Sequence, residues 1–452
     1  MLKKSLVAFT PFIILNSAFI IVFSSCSIQK KISHSAKQVI TDSALQTAHI
    51  GISIYEPGSG KYWYNYNGEK YFVPASNTKI PTCYAAMKYL GDSLVGLRYS
   101  TMILGSESAF VVKPSGDPSF LHPDFKNQPV QSFLKKISGA IIFDFPEQEF
   151  DAIGSGWSWN DYKEPYMVER SMFPMYGNLV KFIAKGTNRY AIPKYFIEKI
   201  KTSYNNSKSV QKPWGENTFS IDTSIISGEF AIPFVTDDTT IISLLNDTIP
   251  AKWYYGKIRS SVGDNKIDSA AGHKEPDFQV IYSQPTDSLL KPMMHRSDNF
   301  FAEQSLLMVS NERLGVMNDE KIIDTLLKTD FKDLPQKPRW VDGCGLSRYN
   351  LFTPQDFVFI LKKIKDEFGM ERIKNILPTG GEGTLSSYYK ADKGYIYAKT
   401  GSLSGVLCLS GYLYTKGNKL LIFSVLVNNY RSAPSDVRKA IEKFLEGIRN
   451  SF

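Results

Sequence analysis

Three short motifs follow one another in a fixed order: Ser76-Asn77-Thr78-Lys79, Ser297-Asp298-Asn299 and Lys399-Thr400-Gly401-Ser402. A serine hydroxyl is a poor nucleophile until a base takes its proton. Residues three apart on a helical turn share a face, so Lys79 stands beside the Ser76 hydroxyl. A lysine can act as that base only if burial or a second cation brings its pKa down towards neutrality. Lys399 can supply the second charge. In this order the motifs describe a serine acyl-transfer site built around lysines rather than histidine.

Each motif has a plainer reading when taken alone. Ser-x-x-Lys occurs six times, starting at Ser27, Ser76, Ser132, Ser209, Ser288 and Ser387. Only the Ser76 copy follows a strand and Val73-Pro74-Ala75 and then opens an apolar helix. The alternative for Lys79 is a solvated surface lysine. Ser297-Asp298-Asn299 precedes a helix, and all three residue types cap helices well. Lys399-Thr400-Gly401 could be a strand end and a turn, with glycine where a backbone approaches a ligand. Histidine chemistry has less support. The five histidines (His34, His49, His122, His273 and His295) are scattered, and no Gly-x-Ser-x-Gly elbow occurs.

The elements that must carry these residues lie at both ends of the chain. His49 to Tyr55 and Tyr62 to Tyr66 read as strands around the Pro57-Gly58-Ser59-Gly60 turn. A helix follows the first motif and ends near Leu90-Gly91. Pro81 would break an ordinary helix, so Ser76 to Lys79 is expected to form a tight turn, with the helix proper starting near Pro81. Tyr395–Thr400, Val406–Tyr414 and Leu420–Val427 read as three more strands. The last segment is an amphipathic helix with Val437, Ala440, Ile441, Phe444, Leu445 and Ile448 along one stripe. Two N-terminal and three C-terminal strands make one antiparallel sheet, so the middle of the chain must be inserted. Ser76 and Ser297 are 221 positions apart, against 102 for Ser297 and Lys399. The expected division is a discontinuous catalytic domain over 46–96 and 276–452, with a β-rich insert of one or two domains over 97–275.

The chain resembles the penicillin-recognising serine enzymes. Within them it is most similar to the D-Ala-D-Ala carboxypeptidase/endopeptidase branch, the low-molecular-mass class C penicillin-binding proteins. Further stretches carry the likeness: Asp342-Gly343-Cys344-Gly345-Leu346-Ser347-Arg348, with Cys344 where serine is usual, and the glycine-rich loop holding Gly380, Gly381, Gly383 and Thr384. Gly116-Asp117-Pro118 and Gly156-Trp157-Ser158-Trp159-Asn160-Asp161 in the insert match as well. The likeness covers nearly the whole chain after the leader. It implies an α/β (α+β) transpeptidase-like domain, with a five-stranded antiparallel sheet flanked by helices. It also implies an acyl-enzyme on Ser76, with Lys79 as base. Ser297 would pass the proton to the leaving amine, while Asn299 would hold a substrate carbonyl and steady Lys79. The backbone N–H groups of Ser76 and Ser402 would form the oxyanion hole. Thr400 and Ser402 would bind the terminal carboxylate beside Gly401. Asp161 would meet the amino group of the substrate's diamino acid; otherwise it is a solvated loop aspartate. The implied partners are peptidoglycan stem peptides and cross-links, with β-lactams as inhibitors and no metal or organic cofactor.

Composition is compatible with this reading. A chain of 452 residues with 43% hydrophobic and 21% charged residues has room for two or three cored domains. Its net charge of +9 is dispersed, with only short pairs such as Lys30-Lys31. That distribution argues against nucleic acid and for weak attraction to an anionic wall. Lys3 and Lys4, the apolar Leu6–Phe23 and Ser24-Ser25-Cys26 read as a lipoprotein-type signal over 1–26, lipidated at Cys26. The alternative is an uncleaved membrane anchor. Residues 27–45 read as a polar tether. Either way the folded part is expected outside the cytoplasm, and the reading as a whole makes it periplasm-facing. The remaining cysteines, Cys83, Cys344 and Cys408, are odd in number and read as buried thiols. The expected activity is D-Ala-D-Ala carboxypeptidase and DD-endopeptidase. The alternatives are a β-lactam or muropeptide sensor that is acylated without turnover, and a serine β-lactamase.

Overall fold

The computed structural model describes residues 32–255 and 277–452, apart from positions 33, 34, 38, 105, 106, 146, 147, 205–208 and 250. Cys26 and the apolar run before it lie outside the described residues. Among the described residues, no helix is long and apolar enough to cross a membrane.

The two ends of the chain meet in one antiparallel sheet. Its order is Ile396–Leu403, Val406–Tyr414, Leu420–Asn428, His49–Glu56 and Lys61–Tyr66. The two strands Val406–Tyr414 and Leu420–Asn428 are buried almost throughout. Their side chains still alternate between layers, because successive residues point to opposite faces. Leu407, Leu409 and Leu413 pack with Val437, Ile441 and Phe444 of the terminal helix Pro434–Ser451. Cys408 and Tyr412 pack on the other side with Ile360, Leu361 and Ile364 of the helix Pro354–Ile376. A sheet covered on both faces reads as unbroken apolar runs, as these strands do. Each large apolar side chain fully buried by the terminal helix contributes roughly 1.5–3 kcal/mol.

The tether expected over 27–45 gives way in its second half. Ile32, Ala36, Val39 and Leu45 are buried in the same layer as the terminal helix. The spacing 32, 36, 39 is one helical face, and the described residues there are helical. Only one apolar side chain per turn marks that face, too sparse a stripe to stand out among the polar residues.

Between Ser93 and Pro285 the chain forms a second five-stranded sheet and two three-stranded ones. The larger runs in the order Lys252–Tyr255, Ala140–Phe143, Glu107–Pro114, Ser93–Leu104 and Gln279–Pro285, with parallel and antiparallel pairs mixed. The core that these sheets share is rich in aromatic residues, with Phe143, Phe173, Phe182 and Phe219 buried together. Leu307, from the helix Asn299–Leu314, belongs to this core too. Three residues before it on that helix, Gln304 is fully buried. Its side-chain amide donates to the carbonyls of Gly116 and Ser171, both at 2.8 Å, and its carbonyl accepts from the Ser171 N–H at 3.0 Å. A buried amide with its bonds made fixes position as well as energy. The insert therefore sets the helix that carries the second motif, through Gly116 of the Gly116-Asp117-Pro118 stretch and through Ser171.

Candidate active site

Ser76 sits in a single 3-10 turn, Ala75–Thr78, that runs straight into the helix Lys79–Tyr89. The expected tight turn is there, and the α-helix starts at Lys79, two residues before Pro81. Pro81 is tolerated because the first N–H groups of a helix have no internal acceptor. Ala75 holds φ at 48°, a left-handed conformation that costs a non-glycine residue energy. Lys79 is fully buried, and its Nζ makes three contacts: Ser76 Oγ at 3.2 Å, Asn299 Oδ1 at 2.7 Å and the Cys344 carbonyl at 2.7 Å. An ammonium has three donors, so the amine is held on all sides and aimed at the nucleophile.

The second motif serves two purposes at once. Asp298 caps the helix Asn299–Leu314, accepting from the Phe301 N–H at 2.9 Å, so capping explains that residue. Asn299, the first helical residue, points inward to Lys79 and donates to the Tyr166 carbonyl at 2.9 Å. Ser297 is left-handed at φ 64°, and its Oγ accepts from Lys399 Nζ at 2.8 Å. Lys399 also donates to the Thr400 carbonyl at 2.8 Å and is fully buried. Burial lowers the Lys79 pKa, opposed by the acidic groups around it: Cys344, Asp342, Asp298 and Glu303. Burial also pushes Lys399 well below the usual lysine range, and repulsion from Lys79 adds to that. Burial is thus the largest cause at both lysines, and the repulsion between the two ammonium groups, which is mutual, is the second charge that Lys399 supplies.

Glycines let the backbones close on the nucleophile. A Cβ at Gly401 would lie 2.5 Å from the Pro74 carbonyl and 3.1 Å from the Ser76 and Asn77 nitrogens. At Gly345, with φ 87°, it would lie 1.9 Å from the Ala75 carbonyl. Ile396–Leu403 is an edge strand of the sheet. An edge offers unpaired backbone groups to an extended peptide.

Beneath Lys79 lies a buried acidic layer. Asp342 accepts from the N–H groups of Gly345 at 2.8 Å and Ser347 at 2.7 Å, from Asn350 at 2.7 Å and from the Trp157 indole at 3.0 Å. Glu303 accepts from the Cys344 N–H at 2.7 Å and lies 3.5 Å from Arg170, which also pairs with Asp319 at 2.5 Å. The potential metal-ligand atoms of Glu303, Asp342 and Cys344 lie within 4.8 Å of one another. The two carboxylates are engaged in holding the loop that presents the Cys344 carbonyl to Lys79. Because Cys344 works through its backbone, cysteine replaces serine there without changing the contact.

Burial pushes Glu303 up to about 7. Folding thus favours its protonated form, and the stability gained from that is full below the ordinary value of 4.5 and lost as pH rises through about 7. Glu303→Gln should remove this slope. Thermal midpoints of wild type and variant at pH 5, 6, 7 and 8 check it; parallel curves would contradict it.

The motif residues open onto a cleft of about 550 Å3, lined by Ser76, Asp161, Tyr166, Ser297, Asn299 and Arg348 among others. Asp161, on the short turn Trp159–Asp161, is thus brought to the cleft with Ser76. Ser402 lines it as well, while Thr400 lines a smaller neighbouring pocket that Ser402 shares. Sequence reasoning assigned no role to Tyr166, Arg348, Glu303 or Arg170. Arg348 stood inside a recognised signature, and its guanidinium donates to the Ser404 carbonyl at 3.0 Å. Arg170 had no signal, since its partners are 133 and 149 positions away.

A nucleophilic serine, two buried lysines and a second serine on this sheet-and-helix frame are the features of a serine-type peptidase. The chain belongs to the D-Ala-D-Ala carboxypeptidase 3 (S13) family, whose model matches residues 32–448. It is similar to the D-alanyl-D-alanine carboxypeptidase DacB of Haemophilus influenzae, at 22% identity over 86% of this chain and 87% of that protein. It is also similar to the D-alanyl-D-alanine carboxypeptidase of Actinomadura sp. strain R39, at 24% identity over 88% and 80%. Its fold is that of penicillin binding protein 4 from Haemophilus influenzae, with a TM-score of 0.69 at 19% identity over 93% of this chain and 98% of that one.

Proposed function

We propose that this chain hydrolyses the D-Ala-D-Ala terminus and the D-Ala cross-link of peptidoglycan stem peptides through an acyl-enzyme on Ser76. The observation that carries this is the Lys79 amine, fully buried and 3.2 Å from the Ser76 hydroxyl. Ser76 Oγ attacks the carbonyl of the penultimate D-Ala while Lys79 takes its proton. The N–H groups of Ser76 and Ser402 hold the oxyanion, and Ser297, bonded to Lys399, relays a proton to the leaving amine. Water then hydrolyses the ester. Asn299 steadies Lys79 and meets a substrate carbonyl, Thr400 and Ser402 bind the leaving carboxylate, and Asp161 meets the diamino-acid amine in the cleft.

Residues 46–96 and 276–452 carry the chemistry, and 97–275 positions the second motif and shapes one wall of the cleft. The leader and Cys26 would tether the enzyme by lipid to the cell envelope, facing the periplasm. β-Lactams would acylate Ser76, since their strained amide imitates the dipeptide; one solved relative, penicillin binding protein 4 from Haemophilus influenzae, is described in complex with a β-lactam. Purified muropeptides test the reading. Release of D-Ala, or cleavage of cross-links, by wild type and not by Ser76→Ala is expected. A β-lactam adduct without any peptide release would instead make the protein a sensor.

A further inference from the structure

Ser297 occupies a one-residue corner between two helices. The helix Thr286–His295 closes at Arg296, whose N–H donates to the Pro292 carbonyl at 3.1 Å, and Asp298 already caps the helix Asn299–Leu314. Both helices are anchored in the core, the first by Leu289, Leu290, Met293 and Met294, the second by Phe301 and Leu306. Ser297 alone turns the chain between them, and it does so left-handed, at φ 64°. A non-glycine residue holds that conformation only where its surroundings enforce it.

The side chains on either side of Ser297 are tied to each other across it. Arg296 donates from Nε at 3.1 Å and from Nη2 at 2.9 Å to one carboxylate oxygen of Asp298, Oδ2. The other oxygen, Oδ1, accepts the capping bond from the Phe301 N–H. The remaining guanidinium nitrogen, Nη1, pairs with Asp124 of the insert at 2.5 Å. The guanidinium carbon also lies 5.2 Å from the centroid of the buried Phe301 ring. Arg296 thus spans from the helix cap to the insert. Its side chain is 46% exposed, and ion pairs this exposed add little to global stability. What the bridge fixes is the local geometry of the corner it spans.

That geometry matters because of where the Ser297 hydroxyl must stand. Its oxygen accepts from Lys399 Nζ at 2.8 Å, and the residue lines the cleft with Ser76. A proton passes efficiently only between groups held within hydrogen-bond reach, so a corner free to relax would carry the hydroxyl away from both Lys399 and the leaving group. We infer that Arg296 is a positioning residue for Ser297: its bridge from Asp298 to Asp124 clamps the left-handed corner and keeps the proton relay aimed at the leaving amine. The inference rests on the peptidase reading above. It also gives the insert a second hold on this motif, through Asp124, beside the one that Gln304 makes with Gly116 and Ser171.

The test varies the leaving group. An amide nitrogen must gain a proton to depart, whereas a thiol, with an ordinary pKa of about 8.5, departs as the thiolate without one. Wild type, Arg296→Gln, Arg296→Lys and Asp124→Asn are compared on one D-Ala-D-Ala peptide and on the thioester in which sulfur replaces its last peptide nitrogen. Arg296→Gln should lose about tenfold or more in kcat/KM on the peptide, as a displaced general acid does. Its turnover of the thioester should be nearly unchanged, which also shows that the variant is folded. Arg296→Lys should fall between, since it keeps the charge and loses the fork, and Asp124→Asn should show a smaller loss of the same kind. A peptide-to-thioester ratio that stays at the wild-type value in Arg296→Gln overturns the role, whether or not both rates fall. A wild type inactive on both substrates would refute the peptidase reading itself, and the role with it.

Discussion

Replacing Lys79 with alanine should lower the rate of Ser76 acylation by about a hundred- to ten-thousand-fold, the range general-base catalysis supplies. The geometry explains why no other group takes over. The Lys79 amine is the only side-chain amine bonded to Ser76 Oγ among the described residues, and Lys399 is committed to Ser297. The loss should lie in acylation rather than in binding, since Lys79 is fully buried. Stopped-flow acylation by a chromogenic β-lactam measures it, with a melting curve as control, because the orphaned Cys344 carbonyl costs about 1–3 kcal/mol. In wild type the same rate should rise with pH as Lys79 loses its proton, and should do so below the ordinary lysine value of 10.5, because burial lowers its pKa. Acylation unchanged in Lys79→Ala would remove lysine from the mechanism.

The second large effect is expected at Gly401. A methyl there would press on backbone atoms: 2.5 Å from the Pro74 carbonyl and 3.1 Å from the Ser76 nitrogen. Neither neighbour is a flexible side-chain end, so the strand must move away from the nucleophile's turn. Both proposed oxyanion donors, the N–H groups of Ser76 and Ser402, flank that contact. Loss of one such donor costs about a hundred- to a thousandfold in kcat, and Gly401→Ala should fall in that range with the Lys79–Ser76 pair still formed. Steady-state release of D-Ala checks this. A variant with wild-type kcat would mean that the close approach of the Lys399 strand plays no part in catalysis.

Much of this was legible in the sequence because it rests on local signals. The tight turn at Ser76, the strands around Gly401 and the terminal helix all follow from short-range periodicity and from proline and glycine positions. Local context, with Val73-Pro74-Ala75 before it and an apolar helix after it, then selected Ser76 among six Ser-x-x-Lys copies. What stayed hidden depends on distant pairs. Gln304 reads as one polar residue in a helix, yet it locks the insert to the second motif through Gly116 and Ser171. The Arg170, Glu303 and Asp319 contacts join segments more than a hundred positions apart, and no local pattern marks them. The Ile32 to Leu45 stretch was misread as a tether because its apolar face carries one residue per turn and acquires meaning only against the terminal helix. Arg438 lies outside the apolar stripe of the terminal helix, and only the fold brings it to Ser402.

The most direct test of the acyl-enzyme on Ser76 is intact-protein mass after mixing wild type and Ser76→Ala with penicillin. Wild type should gain the mass of one penicillin, peptide mapping should place it on Ser76, and Ser76→Ala should gain nothing. Wild type without an adduct, or an equal adduct on Ser76→Ala, would contradict the assignment of Ser76 as the nucleophile.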